Sequence, residues 1–304
     1  MGKYRIGEVI KHFRRQRKIS QEELANSIMD AASLSRVESG NIMPSKRNLE
    51  ALLEKLGVNA DVLNAMFITN KMAEEQKVIN VLDAFLTQKN TKEAGLLITK
   101  LEKDKEFKSE KLNVQFLLAA KAANAINMKE DPKKVFEILH EGLKTTGLEL
   151  SENEVETYLL TGTAFKMFNM LAIAYFESGE HERAITLWYG LKKNIEKNCV
   201  DIGEKGDRYP QVITCLAKAF TLLGRYEDVK KIYTVGKDAC IETRRLRVLP
   251  ELTLYEAQSR FELGDRETAE RLLREVCHTF NLFEQFKDME TTKKYAEEKL
   301  GIFL

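Results

Sequence analysis

Three segments of the chain share one pattern of small residues, and this pattern constrains the fold more than any other feature. Each has an alanine, a glycine seven residues later, and an alanine or valine five residues after that. The positions are Ala172, Gly179 and Ala184; Ala217, Gly224 and Val229; and Ala257, Gly264 and Ala269. Small residues let two helices approach closely, and glycine permits a tight turn between them. The pattern predicts three antiparallel helix pairs.

Two weaker copies precede these segments, one with Leu82 and Ala94 and the other with Ala123 and Val135 in register. The five predicted turns fall at positions 89, 130, 179, 224 and 264, which are 40 to 49 residues apart. The pattern resembles the tetratricopeptide repeat, whose unit is a helix pair of about 34 residues. The resemblance implies a right-handed α-solenoid of about five pairs, so the fold class is all-α.

Composition excludes several classes of protein. The chain has 304 residues with 48 basic and 47 acidic side chains, so it is not a polycation. Its four cysteines form no CxxC pair and no Cys/His cluster with zinc spacing, which favours core cysteines in a reducing compartment. The sequence has neither an apolar run of membrane-spanning length nor a signal-peptide core at its start. We therefore expect a cytoplasmic protein without membrane contact.

Catalytic motifs are also missing from the sequence. The four histidines are scattered, and we find no nucleophile elbow, phosphate-binding loop or HExxH sequence. We expect no enzyme activity, no catalytic residue, no metal and no cofactor.

The first 60 residues have the signals of several short helices. Ser20 and Glu23 form a capping box, Gly40 and Gly57 stop two helices, and Ser45 or a neighbour starts another. Short helices with a tight connection around 29–31 are typical of a helix-turn-helix. This segment carries 11 basic and 7 acidic residues, a net charge of +4 that suits a partner with phosphates.

The motif "SQEELA…LSRVESGNIMPS" resembles the Xre/Cro-type helix-turn-helix. The chain is one residue shorter than most such domains between Ala25 and Ser35, and "MDA" replaces the usual Gly-Val turn. This shortened form is similar to the heads of the Rgg/PlcR/NprR group of peptide-responsive transcription regulators. With the repeats, the resemblance covers nearly the whole chain. It implies a DNA-binding head at 1–62, a helical connector at 63–78, repeats at 79–280, and a capping or dimerisation helix at 281–304.

The resemblance also implies which head residues contact DNA. Gln21 would bond a phosphate, Arg36 a guanine or a phosphate, and Ala31 or Ala32 a thymine methyl group. Asn41, Ser45 and Arg47 would contact the backbone. The full set is Gln21, Ala31, Ala32, Ser33, Arg36, Asn41, Ser45 and Arg47. For Arg36 the alternative is an ion pair with Glu22 or Glu38.

The repeat register predicts which side chains line the concave face of the solenoid. Amides on this face could bond the backbone of an extended peptide, and lysines could meet its terminal carboxylate. The predicted peptide-binding set is Asn80, Lys121, Asn124, Asn127, Lys166, Asn169, Met170, Ile173, Gln211, Thr214, Lys218, Tyr255 and Gln258, with Asp83 and Phe261 beside them. The alternative is that the amides are ordinary solvated residues and that Met170 and Ile173 belong to the core.

The resulting hypothesis is a quorum-sensing transcription regulator that binds palindromic operator DNA as a homodimer and a short signalling peptide in its repeats. Two alternatives remain open. One is a DNA-binding adaptor whose repeats hold a folded protein. The other is a constitutive repressor whose repeats serve only to dimerise.

Overall fold

The computed structural model describes residues 5–58, 70–148, 154–199 and 202–304. It divides into two compact units, 1–204 and 205–304. All regular structure in the described residues is helical, so the predicted all-α class, a helix-turn-helix head followed by helix pairs and a final helix, is confirmed. None of the described helices is both long and apolar enough to cross a membrane.

The head contains four described helices: α1 (Arg5–Gln16), α2 (Gln21–Ala25), α3 (Ala31–Glu38) and α4 (Lys46–Lys55). The three later ones begin at side-chain caps. Ser20 Oγ accepts from Glu23 N at 3.0 Å, Asp30 Oδ1 from Ser33 N at 2.7 Å, and Ser45 Oγ from Asn48 N at 3.2 Å. The predicted helix starts at Ser20 and Ser45 are therefore confirmed.

The helices of the head pack unusually closely at one point. A Cβ atom on Gly7 of α1 would lie 2.0 Å from the carbonyl oxygen of Val37 in α3, so only glycine fits there. The core beneath contains Ile10, Leu24 and Leu52, all fully buried. This close packing fixes the direction in which α3 presents its outer face.

The remainder of the first unit consists of three helix pairs. They are α5 (Asn70–Thr87) with α6 (Thr91–Lys103), α7 (Lys111–Asn127) with α8 (Pro132–Thr145), and α9 (Gly162–Glu177) with α10 (His181–Asn198). Short 3₁₀ turns lie at Phe107–Ser109 and Val155–Thr157. In each pair the first helix is called the A helix and the second the B helix.

The second unit contains two further pairs and a last helix. The pairs are α11 (Ile202–Leu222, which starts just before the division) with α12 (Tyr226–Thr243), and α13 (Leu249–Glu262) with α14 (Arg266–Leu282); the last helix is α15 (Phe286–Leu300). Ile302 and Leu304 pack against the core of the α13–α15 region, whereas Phe303 is 73% exposed. The sequence predicted that this apolar tail caps the repeats or contacts a second subunit. In the structure Ile302 is buried and Leu304 partly buried, while Phe303 is exposed to solvent.

The turn within each helix pair contains one residue in the left-handed region of φ. Gly179, Gly224 and Gly264 have φ values of 88°, 69° and 85°, as the glycine pattern predicted. The two weaker copies use Lys89 and Lys129 instead, at 56° and 55°. The second turn was predicted at Glu130, one residue too late, because no glycine marks it.

The predicted domain boundaries do not coincide with helix ends in the described residues. The head–connector boundary at 62/63 lies outside the described residues. The connector–repeat boundary at 78/79 lies within α5, which runs through it without a break. The C-terminal boundary at 280/281 falls in the last turn of α14.

Candidate nucleic-acid and peptide interfaces

Helix α3 buries one face and exposes the other. Leu34 and Val37 are fully buried, while Ala32, Arg36 and the following Asn41 are exposed. Within the described part of the chain, the Arg36 guanidinium has no hydrogen-bond or ion-pair partner. The alternative ion pair of Arg36 with Glu22 or Glu38 is therefore not formed. The exposed face of α3 is free to meet another molecule.

Ser33 and Asn41, two other residues predicted to contact DNA, already make hydrogen bonds to neighbouring side chains. Ser33 Oγ donates to Asp30 Oδ2 at 2.8 Å, and Asn41 Nδ2 donates to Ser39 Oγ at 2.9 Å. Ala31 and Ser33 are half-buried at the start of α3. Their roles toward DNA stay predictions.

Glu38 is a functional candidate that sequence reasoning considered only as a partner of Arg36. Its buried carboxylate accepts from Arg14 Nη2 at 2.9 Å and from Gln21 Nε2 at 2.8 Å. Burial raises the pKa of Glu38, but the bonds from Arg14 and Gln21 outweigh it and hold this pKa below its usual value. Gln21, the predicted phosphate contact, is therefore oriented by a charge that also ties α1 to α3.

Helix α4 of the head faces the repeats within the first unit. Arg47 Nη1 donates to the carbonyl of Leu112 at 2.9 Å, and its guanidinium lies 4.4 Å from the ring centre of Phe116. Ser45 Oγ donates to Glu110 Oε2 at 3.0 Å. The phosphate roles predicted for Ser45 and Arg47 remain untested, but both side chains already bind at the start of α7.

Two more contacts join the head to the repeats. Glu54 Oε2 accepts from the backbone nitrogen of Gly162 at 2.6 Å, where a carboxylate complements the positive end of α9. Arg17 Nη2 donates to the carbonyl of Asn198 at 2.6 Å. Leu112 of α7 also belongs to the buried core of the head. The head is thus attached to three of the repeat helices by polar and apolar contacts.

A cavity of about 210 Å³ lies between α4 and the A helices of the first unit. Its charged lining comes from both sides: Arg47, Glu50 and Glu54 from the head, and Asp83 and Lys166 from the repeats. Lys166 and Asp83, both predicted concave-face residues, form an exposed ion pair with a separation of 3.8 Å. The predicted concave face therefore extends to the α4 residues that attach the head to the repeats.

The predicted polar residues of the first unit have specific partners within the repeats. Lys121 pairs with Glu102 at 2.7 Å, Asn127 Nδ2 donates to the carbonyl of Leu86 at 2.8 Å, and Asn169 Oδ1 accepts from Trp188 Nε1 at 2.9 Å. Met170 and Ile173 are half-buried on α9, and Asn80 is exposed on α5. The amides are thus oriented by the fold rather than solvated at random.

Asn124 differs from these residues. It is 9% exposed, and among the described residues its amide nitrogen hydrogen-bonds only to the Met128 sulfur, at 3.7 Å. Its Oδ1 atom is buried and accepts no hydrogen bond from any described residue. A buried carbonyl without a donor costs free energy, so this atom favours a ligand that brings an N–H group.

The predicted residues of the second unit divide into two groups. Gln211 and Lys218 are exposed on α11, with Gln211 Nε2 donating to the Asp207 carbonyl at 2.8 Å. Tyr255 and Gln258 are half-buried on α13. Thr214, by contrast, is 8% exposed and donates to the carbonyl of Pro210 in its own helix at 2.8 Å, which leaves it poorly placed for a ligand.

In the described residues, no group of His, Cys, Asp and Glu side chains is arranged to hold a metal ion. Burial raises the pKa of the Cys240 and Cys277 thiols, as is typical of core cysteines.

Comparison with known proteins identifies the head. Residues 10–63 match the model of a helix-turn-helix family, which confirms the predicted Xre-type head. No curated protein matches the chain.

Solved structures share the fold over nearly the whole chain. PlcR of Bacillus thuringiensis, solved with the peptide PapR7 and DNA, is 19% identical with a TM-score of 0.62, over 95% of this chain and 98% of PlcR. The SHP pheromone receptor Rgg2(C45S) of Streptococcus dysgalactiae is 11% identical with a TM-score of 0.54, over 97% and 100%. ComR of Streptococcus vestibularis with its signalling peptide XIP is 14% identical with a TM-score of 0.52, over 99% and 100%. These similarities confirm the fold suggested by the sequence resemblance.

Proposed function

We propose that this protein is a cytoplasmic transcription regulator that binds operator DNA through its head and a short signalling peptide through the A-helix face of its repeats. We further propose that it acts as a homodimer on a palindromic site. The observation that carries the proposal is the exposed Arg36 on the outer face of α3, which has no partner in the described chain, in a head attached directly to A helices of the first unit. PlcR, solved with a peptide and DNA, has the same fold and supports both partners.

DNA recognition would rest on the outer face of α3. Arg36 would donate to a guanine or a phosphate, and Ala32 beside it would contact a thymine methyl group. Gln21, fixed by Glu38, would donate its second amide hydrogen to a phosphate. Only a few of these side chains can read bases directly, so DNA shape would contribute to specificity.

Peptide recognition would rest on amides that the fold orients. An extended peptide presents alternating N–H and C=O groups, which Asn and Gln side chains can pair in both senses. Asn124 Oδ1 has no donor among the described residues, so it would accept a peptide N–H once its side chain turns out of its buried position. Lys166 at the edge of the cavity would attract a carboxylate once its weak pair with Asp83 is exchanged.

The two sites would be coupled through the contacts of α4. The peptide changes DNA binding only if it has different affinities for two arrangements of head and repeats. Lys166 and Asp83 share the cavity with Arg47 and Glu54, which attach the head. A ligand at this end of the A-helix face therefore alters the environment of those attachments.

A calorimetric titration of the full chain with short hydrophobic peptides, beginning with any encoded beside its gene, tests the proposal. We expect micromolar or tighter binding that Asn124→Ala weakens about tenfold, because one peptide hydrogen bond is lost. Asn169→Ala should weaken it too. Asn281→Ala, at an exposed asparagine of α14, is the matched control and should change nothing.

Two outcomes would contradict the peptide site. A one-to-one complex with a folded protein and no heat with any short peptide would indicate an adaptor. Operator binding that no peptide alters, with Asn124, Asn127 and Asn169 all replaceable, would indicate a constitutive repressor.

A further inference from the structure

Glu251 is an exposed carboxylate of α13 that the sequence did not place in any site. It lies one helical turn before Tyr255, whose hydroxyl donates to Glu251 Oε1 at 3.0 Å. Among the described residues it forms no ion pair, although Arg247 lies one turn before it and Lys218 is exposed on α11. Its carboxylate is therefore held in place by a hydrogen bond, and no ion pair with a described residue occupies it.

The surroundings of Glu251 come from two neighbouring A helices of the second unit. Burial, and then the charge of Glu251, raise the pKa of the Cys215 thiol of α11 to about 12, while the charge of Lys218 lowers it, so both charged groups lie near Cys215. Burial and Glu251 likewise raise the pKa of Tyr255. Both groups stay neutral at ordinary pH, so neither contributes a charge beside Glu251.

Other acidic side chains near the predicted face have cationic partners. Glu102 pairs with Lys121, Asp83 with Lys166, and the buried Glu256 with Arg260. Glu251 lacks such a partner in the described chain and has an aromatic ring beside it. A fixed carboxylate next to an aromatic ring is suited to an ammonium or guanidinium group, which can bond the oxygen and lie against the ring.

We infer that Glu251 and Tyr255 form the site that receives a positive charge of the signalling peptide, either its N-terminal ammonium or a lysine or arginine side chain. The inference rests on the proposed function, because its ligand is the signalling peptide. Gln258, one turn beyond Tyr255 on α13, would then meet the peptide backbone next to that charge. Among peptides of similar apolar content, Glu251 would favour those that carry this positive charge.

Affinity selection with the full chain tests this assignment. Two random heptapeptide libraries are used, one with free N-termini and one with acetylated N-termini, and the bound peptides are identified by mass spectrometry. We expect wild-type protein to retain free-ended peptides, or lysine- and arginine-containing ones, about tenfold over uncharged peptides. Glu251→Gln should abolish this preference while operator binding and melting temperature stay unchanged.

The matched control is Glu262→Gln, which removes the same charge from another exposed position of α13 and should keep the preference. A preference that disappears in the acetylated library identifies the N-terminal ammonium as the ligand group. A preference for lysine and arginine that persists there identifies a side chain.

The outcomes separate this inference from the proposed function. Retention of peptides without any charge preference, or a preference that survives Glu251→Gln, would overturn the inference alone. Retention of no peptides by wild-type protein would overturn peptide binding itself, and the inference with it.

Discussion

The two sides of the head use their charged residues in opposite ways. On the α3 side, Arg36 is exposed and unpaired within the described chain, and the buried Glu38 holds Arg14 and Gln21 beneath it. On the α4 side, Arg47 and Glu54 are both bound to repeat helices. The first side is prepared for a partner outside the chain, and the second has its partner within it.

In the proposed function, this difference would separate DNA recognition on the α3 side from communication with the repeats on the α4 side. A side chain with no internal partner can bond DNA without first breaking a bond, so the α3 side can supply affinity and specificity. A side chain bound to the repeats can report their state, so the α4 side can supply coupling. Substitutions on the two sides should therefore fail in different ways, and three of them test this division.

The largest effect is expected at Glu38. Glu38→Gln leaves the half-buried Arg14 without the buried carboxylate that pairs with it, which should lower the free energy of unfolding by about 3 kcal/mol and weaken operator binding through Gln21. The native pKa of Glu38 is lowered, so its stabilisation is present above its unfolded-state pKa of about 4.5 and is lost as pH falls through the native value. The variant should therefore lose part of its acid sensitivity.

Urea unfolding of wild type and Glu38→Gln at several pH values between neutrality and about pH 2.5, which spans the range below the unfolded-state pKa, measures this difference. Glu22→Gln, at an exposed position of α2, is the matched control and should unfold like wild type. Equal stability of wild type and Glu38→Gln would contradict the buried network.

The next effect is expected at Arg36. Arg36→Ala should weaken operator binding by about 2 kcal/mol, or roughly thirtyfold, because a contact to a base or phosphate is lost. Its melting temperature should stay unchanged, since Arg36 has no internal partner in the described chain. Fluorescence anisotropy with labelled duplex measures the affinity. Arg271→Ala, at an exposed arginine of α14, is the control, and an equal loss there would contradict the assignment.

The smallest effect is expected at Glu54. Glu54→Ala removes the carboxylate at the start of α9 and should lower stability by about 1 kcal/mol, with little change in operator affinity when peptide is absent. The change in operator affinity caused by peptide should decrease more than the operator affinity measured without peptide. A variant that keeps the full response would contradict coupling through α4.

Gly162 offers a second route to the same contact. A Cβ atom there would lie 2.8 Å from Glu54 Oε1 and displace the carboxylate. Gly162→Ala should therefore reduce the change in operator affinity that peptide causes in the wild-type protein. It should cause no further reduction in the Glu54→Ala variant, and a double-mutant cycle measures both effects.

The parts of the fold that the sequence predicted are those set by local chemistry. Ser20 and Ser45 cap helices through their own hydroxyls, and Gly179 permits its turn whatever surrounds it. The turn at Lys129 was predicted one residue late, because a lysine in the left-handed region carries no sequence signal.

Contacts between distant residues were not predictable in this way. Helical periodicity indicates that Arg47 lies on an outer face of α4, but not that α7 lies against it. The same holds for Asn169, whose partner Trp188 is on the next helix. Only the packed chain distinguishes the oriented amides from Asn124, whose carbonyl is left without a donor.

In the proposed function, peptide binding in the repeats changes the affinity of the head for DNA. The most direct test is an anisotropy titration of the full chain with an operator duplex selected from a random pool, with and without saturating peptide. We predict sequence-specific binding whose dissociation constant changes at least about fivefold with peptide. An unchanged dissociation constant, with the peptide shown to be bound by calorimetry, would contradict the claim.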